Sequence, residues 1–318
     1  NSLNISFRRQ EMKGKEFIHN YLPFIGLVVV IVFFEIVTGG KLLSPRYISS
    51  LTNEVFTIMI GTCGLAFLLS QGCLDFSLTA VVAMIAAIAA RSAGINEWLM
   101  FPVAILVGLG LGLLNGFIHA VLKVTSFIAT LAVSFICTGL VTIVLNNASV
   151  SIPHHMTKLD SVTLRLITLA AIMIIGYLFF EKSKVGKECK IVGANPEFAR
   201  QNGISVTWVK IRGFMIMGVM CAIVAIFALL RAGTASSSTG AGFTVNALNA
   251  LLIGGMPITG GATSRFRSAI IGSIIMAVLS FGMNLWGLGT LAQQVVQGFV
   301  FLFAISMTFD RQNATVIK

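Results

Sequence analysis

Neutral amide side chains recur in apolar stretches of this sequence. Asn246 and Asn249 lie three residues apart, a spacing that places them on one face of a helix. An amide group donates and accepts hydrogen bonds, so it suits an uncharged, hydroxyl-bearing solute better than an ion. We therefore consider these residues, with one nearby acid, as candidates to line a polar pathway. The full set is Asp75, Asn115, Asn246, Asn249, Asn284, Gln293 and Gln294.

Two interpretations stay open for several members of this set. Asn115 and Asn284 lie in glycine-rich stretches, where an amide can hydrogen-bond between closely packed helices instead of contacting a solute. Asp75 precedes an apolar stretch that starts near Ser77, so it can cap that helix. A carboxylate at membrane depth is also often functional. Glu54 falls toward the outer end of its stretch, and we expect its side chain to reach the membrane interface.

The sequence carries no recognisable catalytic motif. It has no P-loop, no HExxH and no GxSxG pattern. His154 and His155 are adjacent, but no Cys or carboxylate cluster lies near them in the sequence, so we expect a solvated pair and no metal site. The five cysteines form no CxxC pair, and we expect apolar filler with no disulfide. We therefore expect no catalytic residue and no cofactor in this chain.

The composition is that of an integral membrane protein. Of the 318 residues, 56% are hydrophobic and only 10% are charged, whereas soluble domains carry about 25% charged residues. The net charge of +11 comes from basic residues in short loops between apolar segments. No basic stripe with interleaved aromatic residues is present, so we expect no nucleic-acid partner.

About ten apolar stretches are candidates for membrane-spanning helices. The third and eighth are short and flanked by glycine, which is typical of broken or re-entrant segments. The predicted spans are Tyr21–Thr38, Leu51–Ser70, Ser77–Ala90, Trp98–Leu122, Ser126–Leu145, Val162–Phe180, Ile211–Leu230, Val245–Ile258, Ser268–Leu285 and Thr290–Phe309.

The loop charges predict the orientation. With the N-terminus inside, inner segments hold sixteen Lys and Arg residues and outer segments hold six, which accounts for all 22. The positive-inside rule therefore predicts both termini in the cytoplasm. We expect one transmembrane domain over residues 1–318, with a cytoplasmic tail at residues 1–20 and a large cytoplasmic loop at residues 181–210. The first apolar stretch contains Glu35 and lacks an A-x-A site, so we interpret it as a retained helix.

The large loop contains the signature of a two-turn helix. Asn195 is a favourable N-cap, and Pro196 suits the first helical position. Glu197 favours the positive end of the helix dipole, and Arg200, three residues later, can pair with it. Gly203 fits the left-handed residue that follows a helix.

Such a short helix is not stable alone in water, so it needs a surface to pack on. We expect Ile204 to fold back over Ala199. The helix can pack on the inner surface of its own protein, or it can dock into a cytoplasmic partner. The residue pattern alone does not distinguish these two.

The same stretch resembles a known motif. Glu197-x-Ala199-x-x-x-Gly203 is similar to the E-A-A-x-x-x-G loop of ABC importer permeases, which forms the coupling helix that seats in the ATPase subunit. Phe198 departs from the pattern by replacing the second Ala. The wider string "GANPEFARQNGI" resembles the sugar-type permease branch, which includes ribose, xylose, galactoside and autoinducer-2 importers.

Three further stretches resemble that branch in the family's order. "SQGCLDFS" is similar to its G-x-D-x-S element, although a Gly often found after that element is Thr79 here. "LLNGFIHAVLKVTSFIATLA" resembles its L-N-G…V-x-x-F-I-x-T-L segment, and "GAGFTVNALNALLIGGMPITGG" resembles its block of paired glycines. Together the resemblances extend over most of the chain, from about Ser70 to Phe309.

The resemblance implies an all-α permease in two pseudo-symmetric halves with a cytoplasmic coupling helix. It implies ATPase subunits that bind ATP and magnesium, a second permease chain, an extracytoplasmic binding protein and a bacterial inner membrane. Two alternatives stay open: an ABC permease for branched-chain amino acids or nucleosides, and an ion-coupled secondary transporter. The coupling residues implied are Asn195, Pro196, Glu197, Ala199, Arg200 and Gly203.

Overall fold

A computed structural model describes residues 24–308 of the chain. Within this range, six helical segments are long and apolar enough to cross a membrane. They are α2 (Pro45–Ser70), α4 (Met100–Ala120) with the 3-10 turn Glu97–Leu99 before it, α5 (Ser126–Leu145), α6 (Val162–Tyr177) continued by the π-turn Leu178–Lys182, α9 (Val206–Ala232) and α11 (Arg267–Leu285).

Four further apolar helices lie within the described residues. They are α1 (Phe24–Val37), α3 (Leu78–Ala93), α10 (Phe243–Ile253) and α12 (Thr290–Thr308). Helix α12 has a shorter apolar part, Leu291–Ser306. Two polar helices, α7 (Lys184–Ala194) and α8 (Pro196–Gln201), follow α6. A 3-10 turn spans His154–Leu159, and the strands β1 (Val150–Ser151) and β2 (Thr234–Ala235) pair antiparallel.

The core forms around α2, α3, α9 and α10. Helix α3 is rich in alanine and almost wholly buried, because its small side chains let neighbouring helices approach from all sides. Helices α4 and α9 pack backbone against backbone. A Cβ on Gly108 would overlap the carbonyl oxygen of Gly218, so these two backbones pack at a distance that only glycine allows.

Large apolar side chains cover the outside of the bundle. Phe135 on α5 is 74% exposed, and Phe299 on α12 is 70% exposed. A water-soluble protein rarely presents apolar surface of this extent. Lipid or another apolar chain is the environment that matches these faces, which agrees with the membrane assignment.

The described helices follow the predicted apolar stretches closely. Helix α5 has the bounds predicted for the fifth span, and the two stretches predicted to be short form the short helices α3 and α10. The number of membrane crossings, the two pseudo-symmetric halves, the single domain and the orientation stay predictions. The predicted tail at residues 1–20, the start of the first span and the end of the last lie outside the described residues.

Candidate functional site

Helix α8 forms as its local sequence predicts. The Asn195 side-chain oxygen accepts hydrogen bonds from the backbone N–H groups of Glu197 at 2.9 Å and Phe198 at 3.0 Å. Pro196 occupies the first turn, where its missing N–H leaves no bond unmade. The predicted N-cap is therefore confirmed.

The other local features of α8 are confirmed as well. Arg200 donates to Glu197 at 2.7 Å, and both side chains are exposed. Gly203 has φ of +74°, and the Ile204 N–H donates to the Ala199 carbonyl at 3.0 Å. Ala199 lies on the inward face of α8 and is fully buried. What remains outward is a charged pair and an exposed aromatic ring, that of Phe198.

Helix α7 fixes α8 to the interior of the protein. Near its end, an added Cβ on Gly193 would overlap the carbonyl oxygen of Ser70 and lie 2.8 Å from the backbone nitrogen of Gly261. The Gly261 N–H itself donates to that same carbonyl at 2.9 Å. Three backbone segments thus meet within contact distance: the end of α7, the end of α2, and the connection between α10 and α11. We call this meeting point the Gly193 junction.

Glu181, in the π-turn, joins two of these segments, α7 and the α10–α11 connection, through its side chain. One carboxylate oxygen accepts from the backbone N–H of Phe266 at 2.8 Å, and the other accepts from Lys190 at 2.6 Å. The Lys190 ammonium also lies 4.5 Å from the centre of the Phe180 ring. Glu181 therefore connects α7, the π-turn and the residue before α11.

A polar network lies between α2 and α3. Asp75 is 2% exposed, and one of its oxygens accepts from the Ser77 backbone N–H at 2.8 Å and from the Ser77 hydroxyl at 2.6 Å. Asn115 donates to the same hydroxyl at 2.9 Å, while its own buried side-chain oxygen has no partner. Helix α3 begins at Leu78 and its N-cap residue is Ser77, so Asp75 binds the N-cap residue and does not itself cap the first turn, as the capping interpretation had it.

Two threonines join the N-termini of α3 and α10, and sequence reasoning missed them. The Thr79 hydroxyl accepts from the Thr244 backbone N–H at 3.1 Å, and the Thr244 hydroxyl accepts from the Thr79 backbone N–H at 2.9 Å. Each threonine thus caps the other's helix, across 165 residues of sequence. Thr79 is the position where the family often has Gly, and its hydroxyl supplies one half of the pair.

A cavity of about 330 Å³ lies between α2, the end of α9 and the start of α10. Of the seven pathway candidates, only Asn246 lines it. Glu54 was expected to reach the membrane interface, but its side chain is half-buried and lines this cavity, because α9 and α10 cover that face of α2. The polar lining residues include Asn53, Glu54, Thr57, Arg231, Thr239 and Asn246.

The remaining candidates lie elsewhere. Asn249 is buried and donates to the Gln297 carbonyl of α12 at 3.1 Å. Asn284 accepts from Gln293 at 2.7 Å at the turn between α11 and α12, and Gln294 is exposed. The candidates therefore occupy several separate places, and their role in a pathway stays a prediction.

A family model described as the branched-chain amino acid transport system / permease component matches residues 47–305. The chain belongs to this family. The match extends from the first turn of α2 into α12, so it contains the cavity, the polar network and α8.

Several curated members of the family are similar over most of the chain. The ribose import permease protein of Bacillus subtilis (strain 168) is 26% identical over 92% of this chain and 92% of its own length. The ribose import permease protein of Escherichia coli (strain K12) is 25% identical, covering 90% and 93%. The L-arabinose transport system permease protein of Escherichia coli (strain K12) is 30% identical, covering 78% and 77%. No solved structure matches the chain.

Proposed function

We propose that this chain is the membrane-spanning permease subunit of an ATP-driven ABC importer that moves a sugar or sugar-like molecule into the cytoplasm. The relatives named for ribose and L-arabinose support the substrate class. The family description leaves a branched-chain amino acid as the second candidate substrate. The proposal includes a bacterial inner membrane, with both termini in the cytoplasm.

The observation that carries the proposal is α8 together with its support. This helix presents an exposed ring and an ion pair outward, while Ala199 on its inward face is fully buried. A short polar helix held this firmly offers a preformed surface to a partner. We assign it as the coupling helix that docks into an ATPase subunit, where ATP and magnesium bind.

The contacts around α8 also suggest how docking would act on the route. A partner that displaces α8 moves α7, and α7 meets the ends of α2 and of the α10–α11 connection at the Gly193 junction. The end of α2 leads through the Asp75 network into α3. Nucleotide-driven closure would in this way bias the permease between two arrangements of its short helices.

Other subunits complete the proposed importer. A second permease chain would cover apolar faces of the bundle, and an extracytoplasmic binding protein would deliver the substrate. The ion-coupled alternative would use acids inside the membrane, whereas Asp75 already hydrogen-bonds to Ser77 next to a helix start. The hydrolysis of ATP would belong to the ATPase subunits.

Co-purification from the native membrane in mild detergent tests the proposal. We expect a stoichiometric ATP-binding subunit with the parent chain, and its loss from the Glu197→Lys, Gly203→Pro double variant. Phe198→Ala keeps both caps of α8 and should weaken retention without removing the helix. Glu97→Lys reverses a charge at the opposite end of the bundle and should retain the ATPase subunit.

The outcomes separate the candidates. If the chain purifies without an ATP-binding subunit, and flux follows a proton or sodium gradient, the ABC assignment is wrong. If the double variant still supports full ATP-driven uptake, α8 is not the coupling helix. If the intact importer takes up L-leucine and none of ribose, arabinose, xylose or galactose, the substrate class is wrong.

A further inference from the structure

The cavity between α2, α9 and α10 has polar groups on three of its walls. Helix α2 contributes Asn53, Glu54 and Thr57, and the end of α9 contributes Arg231. Asn246 on α10 faces them from the third wall. Groups that come from three separate elements surround whatever occupies the space, whereas a single polar stripe would contact only one side of it.

The floor of the cavity is apolar. Ile58, Val224, Phe227 and Phe243 line it and are buried. Arg231 is exposed, so the cavity opens at the end of α9. An apolar floor with a few convergent polar groups is the usual construction of a small-molecule site, and the volume lies in the usual range.

One buried polar atom of this lining has no hydrogen-bond partner within residues 24–308. The buried side-chain oxygen of Asn246 accepts no hydrogen bond. Glu54 and Arg231 both line the cavity, yet neither forms an ion pair in the described part of the chain. Buried polar atoms are normally satisfied in native proteins, so the Asn246 oxygen has room for a hydrogen-bond donor from a ligand in the cavity.

We propose that this cavity binds one neutral polyhydroxylated molecule of monosaccharide size during its passage. The inference rests on the proposed function and adds a binding site within a single permease chain. It departs from the simplest expectation for such an importer, in which selectivity belongs to the binding protein and the permease holds its substrate only weakly.

The chemistry of the lining selects this class of ligand. Glu54 and Arg231 carry opposite charges, so together they favour no net charge on the ligand. The carboxylate accepts and the guanidinium donates, and each hydroxyl of a sugar can do both. Hydroxyls arranged around a ring can reach all three walls at once, while the C–H faces of the ring rest on Phe227 and Phe243. A zwitterionic amino acid also carries no net charge and can pair with Glu54 and Arg231. The preference for a polyol therefore comes from the further polar groups Asn53, Thr57 and Asn246, which match a ring of hydroxyls.

Thiol labelling of the full-length chain tests the site. The five native cysteines are buried. A Thr57→Cys variant places a thiol in the cavity, and a Ser237→Cys variant places one on the exposed segment that does not line it. The variants, in lipid nanodiscs, react with a water-soluble methanethiosulfonate with and without millimolar D-ribose, L-arabinose, D-xylose, D-galactose or L-leucine.

We expect at least one sugar to slow labelling of the Thr57→Cys variant fivefold or more, with no change for Ser237→Cys. Adding Glu54→Gln or Asn246→Ala should reduce that protection at the same sugar concentration. The proposal is overturned if the thiol at position 57 does not react, if no sugar protects it, or if L-leucine protects it and the sugars do not.

These outcomes are separable from failure of the proposed function, because labelling needs no ATP and no partner. Sugar uptake by the intact importer without protection of Thr57→Cys would reject the cavity site alone. Absence of ATP-driven sugar uptake would reject the function itself.

Discussion

Replacing Gly193 with Ala perturbs the junction that connects α8 to the rest of the protein. The added methyl group would overlap the carbonyl oxygen of Ser70 and lie 2.8 Å from the nitrogen of Gly261, where ordinary contact begins at 3.4 Å. Both neighbours are backbone atoms, so neither can rotate away. The end of α7 must therefore separate from α2 or from the α10–α11 connection.

The magnitude follows from two opposing terms. Overpacking a well-packed site costs about 1–3 kcal/mol. Replacing glycine by alanine within a helix stabilises the helix by about 1 kcal/mol. The net effect is a loss of up to about 2 kcal/mol in the free energy of unfolding, together with a displaced α8.

Gly139 provides the matched control. It also lies within a helix, but an added Cβ meets no atom within 4 Å. Gly139→Ala should therefore leave the midpoint of thermal unfolding unchanged or raised, whereas Gly193→Ala should lower it.

The assay pairs thermal unfolding of the purified chain with ATP-driven uptake by the reconstituted importer. We expect Gly193→Ala to reduce uptake at a temperature where the chain is still folded, because α8 no longer moves with the end of α2. If the Gly193→Ala variant matches the parent chain in both thermal unfolding and uptake, the backbones at the Gly193 junction are not closely packed, and the junction does not connect α8 to the transport route.

Two further predictions concern local contacts. Asn195→Ala removes the acceptor for the N–H groups of Glu197 and Phe198, so it should destabilise α8 by about 0.5–2 kcal/mol and lower uptake. Asn195→Asp restores a capping oxygen and should recover most of that uptake. Equal uptake by the parent chain and both variants would contradict the capping role. Asp160→Ala leaves Arg165 buried without its two bonds of 2.6 Å, so it should destabilise the chain by about 3–5 kcal/mol, measured by chemical denaturation. Glu197→Ala breaks an exposed pair, so it should cost no more than about 1 kcal/mol, and a similar loss for both variants would refute the burial argument.

Local patterns predicted much of the fold. Apolar runs must form helices in a membrane, because each backbone N–H and C=O group then bonds within its own segment. The bounds of α5 and the short lengths of α3 and α10 follow from the run lengths alone. The shape of α8 was predictable for a similar reason, since Asn195, Pro196 and Gly203 act on backbone atoms only a few residues away.

The set of residues that lines the cavity was not predictable in this way. Asn53, Glu54 and Thr57 occupy consecutive turns of an apolar helix, and nothing in their spacing indicates which helices will cover them. Arg231 reaches the same space from a position about 180 residues later in the chain. The mixture of acid and amide in the first half of α2 is the one local signal, and it predicts an interfacial position for Glu54 equally well.

The sequence by itself determined that this chain is helical, embedded in a membrane and equipped with a capped polar helix, because those properties depend on composition and on contacts within one or two turns. Only the tertiary structure decided which polar residues share a space. It joined Thr79 to Thr244, set Gly193 against Ser70, and separated Asn246 from the other pathway candidates. Those pairings depend on how helices pack, and packing is set by surfaces that lie far apart along the chain.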